Sequence, residues 1–405
     1  MTQSVSGNAG PKVRSDIEVT LELKDSGGQE LVIKSKVKSM YGIAIEKQCR
    51  SLLDHFGIKH AKLSVNDSGA LPFVIAARVE AAVRAVLGTC SEYLPEMIPE
   101  NLYASGSGRF RFSRLYLPGN NPGMFLNAGL HSPDGVILDL EDSVAPERKD
   151  EARILVRNAL RAVNFYGAER MIRINQGGRG LEDLECLIPH NVHLVLVPKC
   201  EDPETLIEVE RKIISIKNGE KKPAPVFLMP IIESALGVER AFEIARATPN
   251  VVALAIGLED YTADLGVQRT KEGAESLYAR NRIVVAAKAA GIQPIDSVFS
   301  DVGDMEGLMN NVLSSKAMGF EGMGCIHPRQ IAVIRQGFSP SQDEIEKAKR
   351  IVTAFSDAQA KGLGVVSLGT KMIDPPVVAR AEKTISLAMK LGLISEKWIE
   401  EETKE

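Results

Sequence analysis

Two apolar runs close together in the chain end in acids. Val226–Ser234, VFLMPIIES, ends at Glu233, and Val251–Tyr261, VVALAIGLEDY, breaks at Gly257 into Glu259 and Asp260. Carboxylates delivered by the ends of neighbouring buried strands suit a hard cation such as Mg²⁺, which takes oxygen ligands and keeps waters that a substrate can displace. Other runs end in the same manner: GVILDLED in Asp139, Glu141 and Asp142, MIRIN in Arg173 and Asn175, LVLVPK in Lys199, QPIDSVFSD in Asp296 and Asp301, and GMGCIHP in His327. LYLPG leads into Pro118, Gly119 and Asn120, a turn whose backbone amides can face a ligand. One charged strand end means little, because strand ends reach solvent. Charges at nearly all of them, mostly acids with Arg173 and Lys199 among them, describe a rim for a divalent metal and an anionic, oxygen-rich substrate. Alternation along a strand puts Asp139 and Glu141 on one face and Asp142 on the other or in the loop. It does not separate Glu259 from Asp260.

The elements that must hold this rim follow from the spacing. The runs at 115–119, 135–142, 171–175, 194–199, 226–234, 251–260, 293–301 and 322–328 alternate with helical periodicity. The helical segments are Arg148–Val163, Pro203–Ile216, Leu236–Ala247, Ser276–Ala290 and Asp304–Gly319. Eight strands alternating with helices predict an α/β fold, a (β/α)₈ barrel over 112–340 with its chemistry at the C-terminal strand ends. A doubly wound sheet is the alternative, but no G-x-G-x-x-G follows the first strand and no P-loop is present. Residues 341–405 add two helical patterns, Gln342–Lys361 and Pro376–Leu391, around a glycine-rich stretch stopped by Pro375-Pro376. That stretch is expected to be a lid or exchange arm.

Upstream of the barrel, residues 1–14 include Ser, Gly, Asn and Pro with little to bury and are expected to be mobile. Residues 15–90 read as a small α+β unit of ββαβα order. Ile17–Leu23 and Leu31–Val37 alternate and flank the turn Asp25–Gly28, which predicts a hairpin. Helical spacing then runs to a stop at Gly57, a strand follows at Ala61–Val65, and a second helix spans Pro72–Leu87. Residues 91–111 read as a linker.

Bulk properties exclude several classes. A formal net charge of −4 gives no basic face for nucleic acid. No apolar run is long enough to span a bilayer and the N-terminus lacks an apolar signal core, so a cytoplasmic location is expected. The five cysteines have no C-x-x-C pattern, which reads as reduced thiols, and the six histidines have no zinc-ligand spacing.

RLYLPGNNPGM (114–124), LDLEDSVAPERKDEAR (138–153), IRIN (172–175), LVPK (196–199), IIESALG (231–237), IGLEDY (256–261) and LGTKMIDPPVVARA (368–381) run through the barrel in order. With them, residues 112–391 resemble the citrate lyase beta subunit within the HpcH/HpaI aldolase and citrate lyase-like family. The resemblance implies a Mg²⁺ enzyme, commonly a homotrimer. It implies Glu233 and Asp260 as metal ligands, Glu141 and Asp142 holding metal-bound water, and Arg173 gripping the keto-acid carboxylate and oxygen. It also implies Asp374 as an acid/base reaching a neighbouring subunit's site. Leu258 departs from the alanine usual before Glu-Asp. Arg14-Ser15-Asp16, LSVNDSGAL (63–71) and AARVEAAV (76–83) resemble the acyl carrier (gamma) subunit of citrate lyase. That family carries a phosphoribosyl-dephospho-CoA arm on a serine, here Ser15, although the residues preceding it differ from the family's usual run.

Together these imply cleavage of a 3-hydroxy-acyl thioester of citryl or citramalyl type to a 2-keto acid, oxaloacetate or pyruvate, plus an acetyl thioester. A carrier tethered by about 20 residues gains effective concentration over a free one. The citrate lyase scheme further requires an acyl-transferase (alpha) subunit as partner. Asn120, Asn175 and Lys199, with the Pro118-Gly119 turn, are candidates for substrate contacts. Two other readings stand beside this one: a lyase or malyl-thioester hydrolase using free coenzyme A with a vestigial carrier unit, and a non-catalytic assembly subunit.

Overall fold

The computed structural model describes residues 3–219, 223–360, 362, 365–368 and 371–399. The chain divides into two compact units, Met1–Ile331 and Ala332–Glu405.

The first unit begins with β1 (Gln3–Ser6), β2 (Ile17–Leu23), β3 (Gln29–Ser35), α1 (Lys38–His55), β4 (Ala61–Asp67) and α2 (Pro72–Leu87). Both helices and their stops at Gly57 and Gly88, each with positive φ, fall where the periodicity puts them. Two expectations are corrected. The segment expected to be mobile carries β1, which pairs antiparallel with β2 from Gln3↔Glu22 to Ser6↔Val19. The expected hairpin does not form: the strand order is β1-β2-β4-β3, with β4 inserted between β2 and β3. β4 pairs antiparallel with β2 and parallel with β3. Burial explains the order, since β2 buries Ile17, Val19 and Leu21 and β4 buries Ala61, Leu63 and Val65, whereas no residue of β3 is fully buried. The better-covered strands take the centre and β3 takes an edge.

Next come β5 (Ser113–Pro118), α3 (Pro122–Phe125), β6 (Gly135–Asp139), α4 (Lys149–Ala162), β7 (Glu169–Arg173), α5 (Gly177–Leu187), β8 (Leu194–Val197) and α6 (Pro203–Ile216). They are followed by β9 (Phe227–Ile232), α7 (Ala235–Glu239), α8 (Ala241–Ala245), β10 (Ala253–Ile256), α9 (Leu258–Asp264), α10 (Leu277–Ala290), β11 (Gln293–Ile295), α11 (Met305–Met318) and β12 (Met323–Cys325). The eight strands form one parallel sheet in the order β11-β10-β9-β8-β7-β6-β5-β12. A parallel bridge between Asp296 and Met323 joins the two ends and closes the barrel. Inside it pack Ile137, Met171, Leu194, Leu196, Met229, Ile231, Ala253, Ala255 and Ile295, with Tyr116 against them. Leu236–Ala247, read as one helix, is broken at Arg240 into α7 and α8.

The N-terminal unit is seated on this barrel. Every residue of α2 from Phe73 to Val83 is buried, because the helix is apolar nearly all round and is covered by the small sheet on one side and by α4 on the other. Charges in that seam are paired. Arg157 of α4 holds Glu80 of α2 with Nη2–Oε2 at 2.6 Å and Nη1–Oε1 at 3.0 Å. Arg78 of α2 grips Asp16 through Nε and Nη2, both at 3.0 Å, and reaches Glu151 of α4 at 3.3 Å. Ser6 Oγ and Gly7 N donate to the same Glu151 carboxylate at 2.7 and 2.9 Å. The segment 91–111, expected to be a linker, is laid onto the barrel wall. Asn101 is fully buried and donates to the carbonyls of Leu160 and Val163, and Arg111 is fully buried against Glu169 at 2.7 Å.

The helix α12 (Arg329–Phe338) spans the division between units, so the barrel's compact unit ends nearer 331 than the expected 340. The second unit holds α13 (Gln342–Ala360), the hairpin β13 (Val366–Leu368) and β14 (Lys371–Ile373), and α14 (Pro375–Lys390). Ile351, Phe355, Ile373, Val378, Ile385 and Trp398 form its core. Part of the expected lid, namely Leu363, Gly364, Gly369 and Thr370, lies outside the described residues, as does Lys361 at the end of the expected helix. Among the described residues no helix is long and apolar enough to cross a membrane.

Candidate active site

A cavity of about 440 Å³ opens at the C-terminal ends of the barrel strands. Pro118, Asp139, Asp142, Arg173, Glu233, Gly257, Glu259 and Asp260 line its rim, with Met124 at one side and Arg114, Tyr116, Ile231, Ala255 and Gly324 deeper in. The strand ends therefore converge as the alternation requires.

Arg173 is the pivot. Its Nε and Nη2 bind the two oxygens of Asp139, each at 2.7 Å, and its Nη1 lies 2.9 Å from Glu141 Oε2. The weaker approach to Asp142, 3.6 Å, leaves that side chain half exposed. Tyr116 places its ring 5.4 Å from the guanidinium. Burial alone raises the Asp139 carboxyl, but the Arg173 pair outweighs it and holds the group below its usual range. Arg173 is correspondingly held above its ordinary value: burial opposes the charge, and Asp139 more than compensates. Asp139 is thus the clamp that fixes Arg173. Its place at the β6 terminus, sharing a face with Glu141, was the signal for it.

Glu233 ends β9 and is buried. Its Oε2 accepts the Lys199 N–H at 2.9 Å. Glycine is required at 257, because a Cβ there would sit 2.4 Å from Glu233 Oε1. Burial, with Asp260 nearby, pushes the Glu233 carboxyl up to about 7. Glu141 is also raised, first by burial and then by Asp142, with Arg173 pulling the other way. The Lys199 ammonium lies 3.6 Å from Asp260, 3.7 Å from Glu141 and 3.9 Å from Asp142. Partial burial works against its charge, but these carboxylates prevail and raise it. Glu259 is engaged elsewhere, with Arg269 Nη1 at 2.6 Å, so of the two acids left open by spacing it is Asp260 that joins the cluster.

The donor set fits Mg²⁺. Asp139, Glu141, Asp142, Glu233 and Asp260 gather around Arg173 and Lys199, five carboxyl groups to two bases in a partly buried site. Among the described residues no group of three or more ligand side chains is gathered tightly enough to enclose a metal. An ion held here takes few protein oxygens and keeps open positions, as Mg²⁺ does.

Other expected residues have structural partners. Asn175 bonds Asp183 through its amide at 2.8 Å and accepts from Lys149, which ties it to the α5 loop and not to the cavity. Gly119 N donates to the Asp139 carbonyl at 2.8 Å, and the Asn120 carbonyl accepts from Arg78 at 2.9 Å. Asp296 is buried against Arg280 and Ser315, each at 2.5 Å, and Asp301 accepts from Gly303 N at 2.9 Å. His327 Nδ1 accepts from Arg329 N at 3.2 Å. Asp374, in the second unit, caps α14 by accepting from Val377 N at 3.2 Å.

Ser15 follows Arg14, whose carbonyl packs on Gly123. It is partly exposed, has a left-handed φ of 57°, and is pinned by its N–H to the Ser68 carbonyl at 3.0 Å. The carbonyl of Arg14 packs so closely on Gly123 that a Cβ there would lie 3.1 Å from it, and the next residue, Met124, lines the cavity.

Residues 113–328 match the model of the HpcH/HpaI aldolase/citrate lyase family, and residues 6–86 match that of the malonate decarboxylase delta subunit, an acyl carrier family. Citrate lyase subunit beta of Escherichia coli strain K12 is 38% identical over 291 residues, 71% of this chain and 96% of that protein. Human mitochondrial citramalyl-CoA lyase is 35% identical over 322 residues, 76% and 95% of the two chains. The crystal structure of protein CitE from Mycobacterium tuberculosis in complex with magnesium, acetoacetate and coenzyme A superposes with a TM-score of 0.59 at 31% identity, covering 69% of this chain and 98% of that one. On its motifs, its barrel and this likeness, the chain belongs to the HpcH/HpaI aldolase/citrate lyase family.

Proposed function

We propose that the chain is a Mg²⁺-dependent carbon–carbon lyase that cleaves a 3-hydroxy-acyl thioester of citryl or citramalyl type into a 2-keto acid and an acetyl thioester. The observation that carries this reading is the surplus of carboxylates around a clamped arginine at the barrel rim. Glu233 and Asp260 are the residues that hold the metal, with Glu141 and Asp142 beside them. The ion supplies Lewis-acid stabilisation of oxygen charge. Arg173, fixed by Asp139, receives the substrate carboxylate and the hydroxyl oxygen, on which charge grows as its proton is lost and from which charge passes to the thioester as the bond breaks. Being already oriented, it needs no reorganisation at that moment. Pro118 and Gly119 shape the turn that closes one side, and Lys199 screens the acids. The thioester enolate left by cleavage takes a proton at carbon. Asp374 is the acid proposed for this, from a neighbouring subunit of a homotrimer, on the strength of its match to the family motif.

Ser15 is the proposed attachment point for an acyl arm of the phosphoribosyl-dephospho-CoA kind. The contact of the preceding residue, Arg14, with Gly123, next to Met124 of the cavity lining, supports delivery of the acyl group to the barrel that carries it. A transferase subunit then exchanges the acyl group. A second reading, in which the thioester is free coenzyme A, is favoured by the coenzyme A and magnesium in the Mycobacterium tuberculosis relative. Purified chain assayed with citryl-, citramalyl- and malyl-CoA for Mg²⁺-dependent keto-acid release tests the lyase. Activity only after Ser15 has been charged with an acyl arm supports the carrier reading. No release in either format removes the proposal.

A further inference from the structure

The barrel interior contains a charge that no acid among the described residues answers. The largest fully buried side chains are five arginines, Arg78, Arg111, Arg114, Arg157 and Arg170. Arg78, Arg111 and Arg157 each hold a carboxylate. Arg170 donates to the carbonyls of Asn101, Tyr103 and Asn191. Arg114 differs. Among the described residues the one hydrogen-bond partner of its side chain is the sulfur of Met229, 2.9 Å from Nη1, and its Nε has none. A thioether is a weak acceptor, so a buried guanidinium answered only by it is left largely uncompensated.

Its place in the fold gives the charge a use. Arg114 lies on β5 two and four residues before Tyr116 and Pro118, on the same inward face, and all three line the cavity of the acid rim. In register it is flanked by Gly135 of β6 and Gly324 of β12, so neither neighbouring strand puts a side chain against it. Ile231 and Ala255 complete an apolar wall around this floor. The cavity therefore has two ends of opposite character: carboxylates and Arg173 at the mouth, and one unpaired guanidinium at the bottom. A ligand that satisfies both carries metal-chelating oxygens at one end and an anionic oxygen group at the other.

We propose that Arg114 is the receptor for a second carboxylate on the keto-acid half of the substrate, and that it selects citryl-type over citramalyl-type thioesters. This rests on the lyase reading. In a citryl thioester the carbon bearing the hydroxyl carries a carboxylate and a carboxymethyl arm, and cleavage releases a keto dicarboxylate. A citramalyl thioester has a methyl in place of that arm, and cleavage releases a keto monocarboxylate. With the first carboxylate at Arg173, the carboxymethyl arm points down the cavity to Arg114 and closes a bidentate pair in an apolar setting. The methyl leaves the guanidinium buried and unanswered, which is how a polar site rejects an analogue lacking the matching group. Burial pushes Arg114 down to about 10, so it stays protonated at neutral pH.

Two measurements test this. Isothermal titration of the Mg²⁺-loaded chain with oxaloacetate and with pyruvate reads recognition without turnover. The expected result is that oxaloacetate binds at least about 100-fold more tightly. Arg114→Met should remove that preference while changing pyruvate affinity by less than about 5-fold, and Arg114→Lys should restore part of it. The thermal midpoint of Arg114→Met should stay level or rise, because a buried unpaired charge is replaced by an apolar side chain of similar reach. In turnover, Arg114→Met should lower kcat/KM for citryl-CoA by about 100-fold and leave citramalyl-CoA nearly unchanged. Equal binding of the two keto acids by the wild-type chain overturns the proposal, and needs no variant to fold. Equal loss of both ligands in Arg114→Met, or a lowered midpoint, assigns Arg114 a structural role and also overturns it. Absence of thioester cleavage with the binding preference intact removes the lyase reading and leaves the dicarboxylate site standing.

Discussion

The seam under α2 and the rim of the barrel use the same residue types to opposite ends. In the seam Arg157 meets Glu80 and Glu92, and Arg78 meets Asp16 and Glu151. At the rim five acids confront two bases, and on the cavity floor Arg114 meets no acid among the described residues. Paired charges fix where one surface sits on another. Unpaired ones keep an interaction in reserve for something that is not part of the chain. The residue types are the same; the difference lies in stoichiometry and in burial, since the seam closes over its pairs while Asp142, Asp260 and Lys199 at the rim stay open to solvent.

The sharpest way to break this contrast is at the rim. Glu233→Ala should lower Mg²⁺-dependent cleavage roughly ten-thousandfold, about 5.5 kcal/mol of lost stabilisation, while the urea midpoint moves far less than in a seam variant. Full turnover in that variant would place the metal elsewhere. In the seam, Arg157→Ala takes from Glu80 its buried partner and leaves it Arg84 and the Tyr93 N–H; it should destabilise the chain by about 2 kcal/mol, whereas Arg157→Met with Glu80→Met should recover most of it. Equal unfolding curves for the single and double variants would show that the pair is not what holds α2. Two histidines on the barrel wall add a pH term of intermediate size. Burial, helped by Arg161 and Arg157, pushes His190 down to about 4, and burial with Arg170 pushes His193 down to about 3. Both are neutral in the fold and take up protons on unfolding below about 6.5. Stability is therefore complete above that pH and is lost as pH falls towards 4 and 3, by roughly 2 kcal/mol per histidine at pH 5. Denaturant titrations at pH 8 and pH 5 check this, and His193→Gln should flatten the slope. The smallest effect belongs to Glu259→Gln. With Arg269 as its partner, its loss should cost less than about 1 kcal/mol in turnover, and a loss as large as that of Asp260→Asn would return Glu259 to the metal site.

Periodicity reveals what an element is, and burial decides whom it meets. All eight barrel strands were legible because each is a short apolar run stopped by a polar end. The hairpin was not, since alternation in Ile17–Leu23 and Leu31–Val37 marks two strands without naming their neighbours, and β4 came between them. The strand β1 was hidden by the brevity of QSVS, whose hydrogen bonds depend on β2 and on a distant Glu151. The docking of α2 had a signal that went unused: a helix apolar nearly all round must be covered on two sides. At the rim, residue type and strand position brought out Glu233, Glu141 and Arg173. Only the Arg269 contact separated Glu259 from Asp260, and Asn175 was lost to Asp183. Arg114 could not be found from spacing, because its meaning lies in a missing partner.

The guanidinium of Arg78 touches Asp16 of the small sheet, Glu151 of a barrel helix and the Asn120 carbonyl of the turn at the barrel mouth. Thermodynamically, that makes the small unit and the mouth of the barrel one cooperative block. Melting either exposes the same desolvated charge, so residues 3–331 should unfold in one transition. Deleting the first 90 residues would not free an independent barrel, because it would uncover α4, take Arg78 and Glu80 from Glu151 and Arg157, and release the turn that carries Met124.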